Sequence, residues 1–422
     1  MRVNVYYHKK LIGKVAEKDG KYYFKYEDEF INTGHELAPL MMPLSKSFNK
    51  VYDFNQLYFP TFYGLPGLIA DSIPDKFGNN ILDAWLNKRG KTLNELSTLE
   101  RLAYLGNRAM GALEFEPDLK AITLSKSNIS LNELSDMAQL ITKEQYGAGV
   151  KTVDQDDLAE LFEVGTSAGG ARAKAVLGIH DKTEQIVNGQ AALPEGFRHY
   201  IVKFDTITEK GKSSGVCLLE KSYYDMLRML AIPMMPSKLI EENGRFHFAT
   251  KRFDRSNTGE KIHTQTLCAL GHYNYKDFES YSYENLFFVA RSLNVSYQER
   301  EQLFKQMLFN VMAKNLDDHT KNFSFLYHNN KWKVAPAYDV SYNFDPKGLF
   351  TQLHKMSING KNSQHMLSDL LKIAEENSIN KPLLLIEEMK DVLSMFPKVA
   401  SKYELDKKTI ERIFSHFKLD LK

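Results

Sequence analysis

The chain has 422 residues, 43% of them hydrophobic, which is enough for two or three domains with sizeable cores and excludes a disordered tail or a disulfide-stapled mini-protein. Its 55 Lys and Arg against 53 Asp and Glu leave a formal net charge of +2, so no strong basic field covers the molecule and nonspecific nucleic-acid binding is not its main activity. Two cysteines, Cys217 and Cys268, allow neither a disulfide framework nor a CxxC zinc site and point to a reduced, cytoplasmic setting.

The start, MRVNVYYHKK, is interrupted by charges and reads as neither a signal peptide nor an anchor. No later stretch reaches the roughly 18 apolar residues of a spanning helix, so no membrane contact is expected. Residues 1 to about 30 alternate apolar and polar positions at Val3, Val5 and Tyr7 and again at Tyr22, Phe24 and Tyr26. With the Lys-Asp-Gly turn at 18–20 between them, they predict strands joined by a hairpin. LPGLIADSIPDKFG at 65–78 mixes Pro and Gly with apolar residues, and ILDAWLNKRG has the 3.6-residue spacing of a helix that ends at Gly90. An N-terminal unit covers 1–118.

A region at 119–255 combines linker helices with a small β-rich lobe. LNELSDMAQLI is a short helical run in which Ser130 and Glu133 suit a capping box. Strands follow in AKAVLGI, HYIVKFD and KLIEENGRFHFATKRFDR, with a helix at about 218–231 before the last. A mostly helical lobe covers 256–422, its helical periodicity running from Tyr283 onward in YENLFFVARSL, REQLFKQMLFNVMAKN, MLSDLLKIAEE, KPLLLIEEMKDVLSMF and ERIFSHF. Only FSFLYHNNKWKVAPAYDV breaks it, as two short strands around an Asn-Asn turn.

NLDDHTKN at 315–322 carries the strongest chemical signal, because Asp317 and Asn322 stand in the D-x-x-x-x-N spacing of a kinase catalytic loop. An irregular loop can aim a base Asp at a substrate hydroxyl and an Asn amide oxygen at Mg²⁺ beside the same phosphate. Asp318 competes for the base role but is one residue short of that spacing. The octapeptide alone is also compatible with a polar loop after a helix. Asp339, in AYDVSY after the strand KWKVAP, is placed as a second metal-binding carboxylate or as a plain turn Asp.

Upstream, TSAGGARAK at 166–174 sets Gly169, Gly170 and Ala171 before a strand, where backbone N–H groups approach phosphates or simply turn a hairpin. Lys203, on the alternating strand YIVKFD, fits a lysine that holds nucleotide phosphates, and Glu220 in the next helix is a candidate ion-pair partner. Lys251 and Phe253 in FATKRFDR would join two lobes beside an adenine, unless KRFDR is a surface charge cluster. His263 and His319 lack the spacing of metal ligands and read as hydrogen-bonding residues.

Taken together, LPGLIADSIPDKFG, GNRAMGALEF, SAGGARAK, YIVKFD, TKRFDR, HTQTLCAL, NLDDHTKNFSF, PAYDVSY and HKMSINGK stand in the order found in the HipA-type Ser/Thr kinases of bacterial toxin-antitoxin modules, which the chain resembles over nearly its whole length. The resemblance implies an α+β, two-lobed, protein-kinase-like fold with ATP between the lobes. It makes Asp317 the catalytic base, Asn322 and Asp339 the Mg²⁺ ligands, Lys203 the ATP-binding lysine, and Lys251 and Phe253 the hinge positions. Ser167 matches the serine that such kinases autophosphorylate to expel the Gly-rich loop, with Thr166 as its neighbour and alternative. A phosphoserine there adds about two negative charges where nucleotide phosphates would lie.

The resemblance further implies a HipB-like helix-turn-helix antitoxin as partner, DNA contact mainly through that partner, and a protein substrate such as an aminoacyl-tRNA synthetase. Asn315 and Leu316 replace the His-Arg of ordinary kinases, YDV replaces DFG, and no APE follows, so an ordinary activation loop is not expected. A small-molecule phosphotransferase and a non-catalytic, antitoxin-binding co-repressor are the alternatives.

Overall fold

The computed structural model describes residues 1–119, 129–143, 155–166, 169–206, 213–278, 280–348 and 351–421. The chain separates into two compact units: Met1–His35, Met42–Cys217 and Pro236–His263 form the first, and Glu36–Met41, Leu218–Met235 and Thr264–Lys422 the second.

In the first unit the alternating N-terminal residues build β1 (Arg2–Tyr7), β2 (Lys10–Lys18) and β3 (Lys21–Tyr26), which join β4 (Tyr52–Asp53) and β5 (Leu113–Glu116) in the order β4-β3-β2-β1-β5. Val3, Val5, Tyr7, Tyr22, Phe24 and Tyr26 all point into the core, as period-2 patterning requires. The expected single hairpin is a three-stranded meander, because a second two-residue turn, His8-Lys9, sits at φ 47° and 64° without glycine. Asp19-Gly20 at φ 53° and 72° makes the turn that was legible.

The helix Lys76–Asn87 buries Phe77, Ile81, Trp85 and Leu86 on one face and is followed by Gly90 at φ +70°. The helix Thr98–Leu105 starts at a Ser97/Glu100 capping box. Helices Leu131–Lys143 and Gln155–Gly165 pack Leu134, Ala138, Leu158 and Phe162 into the same core as Phe77 and Trp85, and Trp85 stacks on Phe162 at 4.7 Å between ring centroids. Ser130 Oγ accepts the Glu133 N–H at 3.3 Å, and the Glu242 carboxylate accepts the N–H groups of Leu131 and Asn132. The start of this helix is thus capped partly from a distant strand.

The other face of that core is an antiparallel sheet of β6 (Lys174–His180), β7 (Ile186–Asn188), β8 (Phe197–Lys203), β9 (Ser237–Glu242) and β10 (Arg245–Lys251), ordered β7-β6-β8-β10-β9. KLIEENGRFHFATK, read as one strand, is two, because Asn243-Gly244 at φ 48° and 78° turns the chain back. The charged tail of KRFDR is buried and not a surface cluster. Asp254 accepts from Arg252 Nε at 2.8 Å, Arg255 Nη1 at 3.0 Å and the Gly111 N–H at 2.7 Å. Burial alone would raise the Asp254 carboxyl, but the two guanidinium groups hold it far below the usual range; burial and Arg252 push Arg255 down to about 10.

The second unit takes up the helix Val216–Met229 from Leu218 and β11 (His263–Thr266) from Thr264, and adds β12 (Ser324–His328) and β13 (Lys331–Val334), in the order β11-β12-β13. The β12–β13 turn is the expected Asn329-Asn330 pair at φ 51° and 58°. Around this sheet lie helices Tyr283–Ser292, Tyr297–Met312, Leu367–Glu376, Pro382–Ser394 and Lys407–Phe414, the first two opened by Ser282/Asn285 and Ser296/Glu299 capping boxes. The buried Tyr223 ring meets Phe309, Phe396 and Phe417, and its hydroxyl donates to Ala313 O at 2.6 Å, where the helix Tyr297–Met312 ends. Glu36–Met41 is tied in by the Trp332 indole N–H, which donates to Glu36 O at 3.1 Å. No described helix is long and apolar enough to cross a membrane.

Candidate functional site

The helix Tyr297–Met312 ends at Ala313 and the chain turns through Lys314 at φ 59°, so residues 315–319 form an irregular loop before the short 3-10 turn Thr320–Asn322 and β12. The Asp-to-Asn spacing has a local cause: Asn322 Nδ2 donates to the Asp317 carbonyl at 2.6 Å and closes the loop on itself. That bond engages the amide nitrogen and leaves Oδ1 as the acceptor. Thr320 Oγ1 pins the same turn by donating to Tyr273 O at 2.9 Å.

Asp317 and Asp318 leave this loop in opposite senses. The Asp317 side chain is 51% exposed, with His319 Nε2 at 3.8 Å from its Oδ1, whereas the Asp318 side chain is 0% exposed. Asp318 Oδ2 accepts from Tyr283 Oη at 2.7 Å and His354 Nδ1 at 2.7 Å, and its Oδ1 accepts the Lys355 N–H at 2.8 Å. Burial by itself would raise the Asp318 carboxyl, but His354 and these donors hold it below the ordinary range. The Tyr283 hydroxyl also accepts from Asn310 Nδ2 at 3.0 Å, Asn310 Oδ1 accepts from Asn315 Nδ2 at 2.9 Å, and Asn315 Oδ1 accepts from Asn343 Nδ2 at 3.1 Å. A relay of side-chain hydrogen bonds, buried from Asn315 inward, therefore braces the loop from the exposed Asn343 to His354.

Asp339 follows β13 in a left-handed conformation, φ +52°, which Asp tolerates better than most residues. The preceding Tyr338 fixes this segment against the loop: its hydroxyl donates to Lys321 O at 2.7 Å and shares a 2.5 Å hydrogen bond with Ser324 Oγ. The second unit thus gathers Asp317, Asn322 and the Asp339 segment. An amide oxygen and a carboxylate are hard oxygen donors that suit Mg²⁺, an ion that keeps water and phosphate oxygens in its shell and needs only one or two protein ligands. Among the described residues no group of three or more His, Cys, Asp or Glu side chains is gathered for a metal.

In the first unit the Gly-rich segment is held at both ends. Thr166 is buried; its Oγ1 donates to Phe162 O at 2.7 Å and accepts from Arg108 Nη1 at 3.2 Å. Ser167 lies outside the described residues. Gly170, at φ +97°, donates its N–H to Asp75 Oδ2 at 2.9 Å, and its carbonyl accepts the Phe77 N–H at 3.3 Å. A side chain there would stand 2.9 Å from Lys174 Nζ, so the ammonium lies directly beneath the loop; Ala171 is exposed. IPDKFG and GNRAMG, whose chemistry the sequence left open, are the residues that grip this segment.

Lys203 ends β8 in register with Lys174 of β6 on one side and Phe248 of β10 on the other. Directly opposed residues share a sheet face, so two lysines stand together where like charges repel unless an anion or acidic group offsets them. Lys174 is 4% exposed and belongs with the candidate site; its only sequence signal was its place at the end of SAGGARAK. Glu220 is buried in the helix Val216–Met229 of the second unit. Lys251 ends β10 with its N–H on Pro236 O at 3.0 Å and its Nζ on Asn257 Oδ1 at 2.7 Å, and Phe253 is half-buried. His263 is buried in the first unit, where desolvation pushes its imidazole down to about 3.

Residues 3–116 match the HipA N-terminal domain family and residues 166–416 the HipA-like C-terminal domain family. A protein of Haemophilus influenzae, named as a candidate kinase, is 26% identical over 189 residues, covering 39% of this chain and 55% of that protein. The candidate kinase Y4mE of Sinorhizobium fredii is 24% identical over 362 residues, 80% of this chain and 76% of that protein. The chain thus spans about half the length of the first relative and three quarters of the second. Among solved structures, the Shewanella oneidensis HipA, HipB and operator DNA complex contains a chain that matches with a TM-score of 0.67 at 17% identity, over 98% of this chain and 94% of that one. The mixed fold of sheets and helices is shared along the whole length.

Proposed function

The chain belongs to the HipA family, and we propose that it is an ATP- and Mg²⁺-dependent Ser/Thr protein kinase acting as the toxin of a two-component module. The observation that carries this reading is the contrast within one dipeptide. Asp318 is consumed by three donors in the interior while Asp317 is left half exposed beside an Asn322 whose amide oxygen faces away from its own loop bond. A catalytic aspartate has to reach an acceptor hydroxyl, and a fully engaged one cannot.

In this reading Asp317 orients the acceptor hydroxyl and takes its proton, and Lys203, joined by Lys174, holds the nucleotide phosphates above Gly169 and Gly170. Lys251 and Phe253 border the adenine. Mg²⁺ held by Asn322 and Asp339 would neutralise charge on the transferring phosphoryl group. The buried, doubly bonded hydroxyl of Thr166 supports Ser167 as the residue that accepts phosphate and disables the loop. HipB and operator DNA in the Shewanella complex support an antitoxin partner for this chain, with DNA reached through it. The acceptor would be a protein of translation such as an aminoacyl-tRNA synthetase.

The test is intact mass and peptide mapping of the wild-type chain and Asp317→Ala after incubation with ATP and Mg²⁺. Phosphate confined to the wild type and mapped to Ser167 is the expected result. Equal phosphate on both proteins would remove Asp317 from the chemistry, and none on either would favour a non-protein acceptor or a binding role.

A further inference from the structure

The loop that carries Asp317 is bonded by Asp318 to a segment far along the chain. His354 Nδ1 and the Lys355 N–H both donate to Asp318, so residues 354 and 355 are seated one residue from the exposed carboxylate. This seat is rigid: the His354 N–H donates to Asn362 O at 2.8 Å, and Asn362 Nδ2 returns a bond to His354 O at 3.0 Å and another to Phe278 O at 3.1 Å. The Lys355 stem runs along Phe278, with Nζ 4.6 Å from the ring centroid. Burial lowers the proton affinity of Lys355, and the carboxylates that oppose this are Asp317 first and Asp318 second. Of the two lysines within or next to the loop, Lys314 Nζ is 5.4 Å from the Phe344 centroid and Lys321 Nζ 4.9 Å from that of Tyr275.

We propose that Lys355 is a further catalytic residue, the fixed cation that faces the phosphoryl group as it passes to the acceptor, and that Asp318 and His354 are the positioning residues that deliver it. The inference rests on the kinase reading above and names a group that the Asp-to-Asn spacing does not contain. In the step it serves, the acceptor oxygen forms a bond to the γ-phosphorus while the bond from phosphorus to the β–γ bridging oxygen breaks. The bridging electron pair leaves with ADP, the hydroxyl proton goes to Asp317, and Lys355 exchanges no proton. Charge spreads over the equatorial oxygens of the moving group in the transition state, so an ammonium already held in place acts more strongly there than in the ground state.

The experiment uses the full chain as wild type, Lys355→Met and Lys355→Arg. It measures the single-turnover rate of self-phosphorylation at saturating MgATP, the ADP affinity and the thermal midpoint. Lys355→Met keeps the stem on Phe278 and is expected to be slower by about 10²-fold, the loss typical of one donor aimed at developing charge, with ADP affinity and midpoint as in the parent. Lys355→Arg should recover most of the rate. A Met variant within about threefold of the parent, or one whose midpoint and ADP affinity fall together with its rate, would overturn the proposal and return Lys355 to packing. A wild type that transfers no phosphate and hydrolyses no ATP would remove the kinase reading itself, whereas an active wild type with an equally active Met variant removes only Lys355.

Discussion

The loop at 315–322 and the Gly-rich segment at 166–174 are both irregular, yet they are held by opposite means. Side chains hold the first: Asn315, Asn310, Tyr283, Asp318 and His354 form a buried relay, reached from the exposed Asn343, that leaves the neighbouring carboxylate outside it. The second is held largely through its main chain, since Gly170 gives both its N–H and its carbonyl to residues 75 and 77. A loop that must aim one side chain needs its other side chains anchored. One held through its main chain needs glycine where the backbone turns at positive φ and a neighbour that takes up its N–H and its carbonyl.

The sharpest way to break this comparison is to exchange the fates of Asp317 and Asp318. Asp318→Ala strands the Tyr283 hydroxyl, the His354 ring and the Lys355 N–H in the interior and should cost about 3–5 kcal/mol of unfolding free energy. Asp317→Ala, half exposed, should change stability by about 0.5 kcal/mol or less and yet lower phosphoryl transfer by several orders of magnitude. Urea unfolding of both variants beside their transfer rates decides the matter. Two variants equally unstable, or equally active, would mean that the loop does not divide its carboxylates as described.

Gly78→Ala tests the other region. A methyl group on Gly78 would come within 2.2 Å of the Thr166 carbonyl oxygen, a backbone atom, so the helix Lys76–Asn87 and the start of the Gly-rich segment have to separate. The expected cost is about 1–3 kcal/mol, as for overpacking elsewhere. Because the segment is displaced, nucleotide affinity should fall, which Asp317→Ala leaves in place. An alanine variant with parental stability and nucleotide affinity would show that the grip of residues 75–78 is not what shapes the segment.

These contacts also explain which features could be read without coordinates. Asp317 and Asn322 were legible because a single bond between residues of one short loop fixes their spacing. The helix Lys76–Asn87 and the Asn329-Asn330 turn were legible because periodicity and turn chemistry are local. The inward turn of Asp318 depends on Tyr283 and His354, both far away in sequence, and nothing in an Asp-Asp pair announces which carboxylate is buried. Lys174 becomes meaningful only once β6 pairs with β8 and sets it opposite Lys203. The His8-Lys9 turn had no glycine to mark it, whereas Asn243-Gly244 is a strong hairpin signal that was read through as one strand. The stretch from 341 to 365 lies between the helical runs read from the sequence and forms no described helix, its backbone bonds being made locally and to the loop, as at His354–Asn362 and Lys355–Asp318.

A smaller effect is the response to acid of two buried histidines of the first unit. Burial pushes the His247 imidazole down to about 4, against the opposing pull of Asp205 and Glu242, and pushes His263 to about 3, with His8 adding to the shift. His247 accepts the Asp205 N–H on Nδ1 at 3.2 Å, a bond that a protonated ring cannot make. Both folded values lie below the ordinary 6.5, so neither ring affects stability above that pH, where both states are neutral. As pH falls below it, the unfolded chain takes up protons that the folded one refuses, and stability drops by about 1.4 kcal/mol per pH unit for each ring until the folded rings titrate. Urea unfolding between pH 7 and 4.5 should therefore show a steepening loss, and His263→Gln should remove about one proton from that slope. An unchanged slope in the variant would mean that the buried ring at β11 is already charged, and that the first unit tolerates acid by a route its geometry does not suggest.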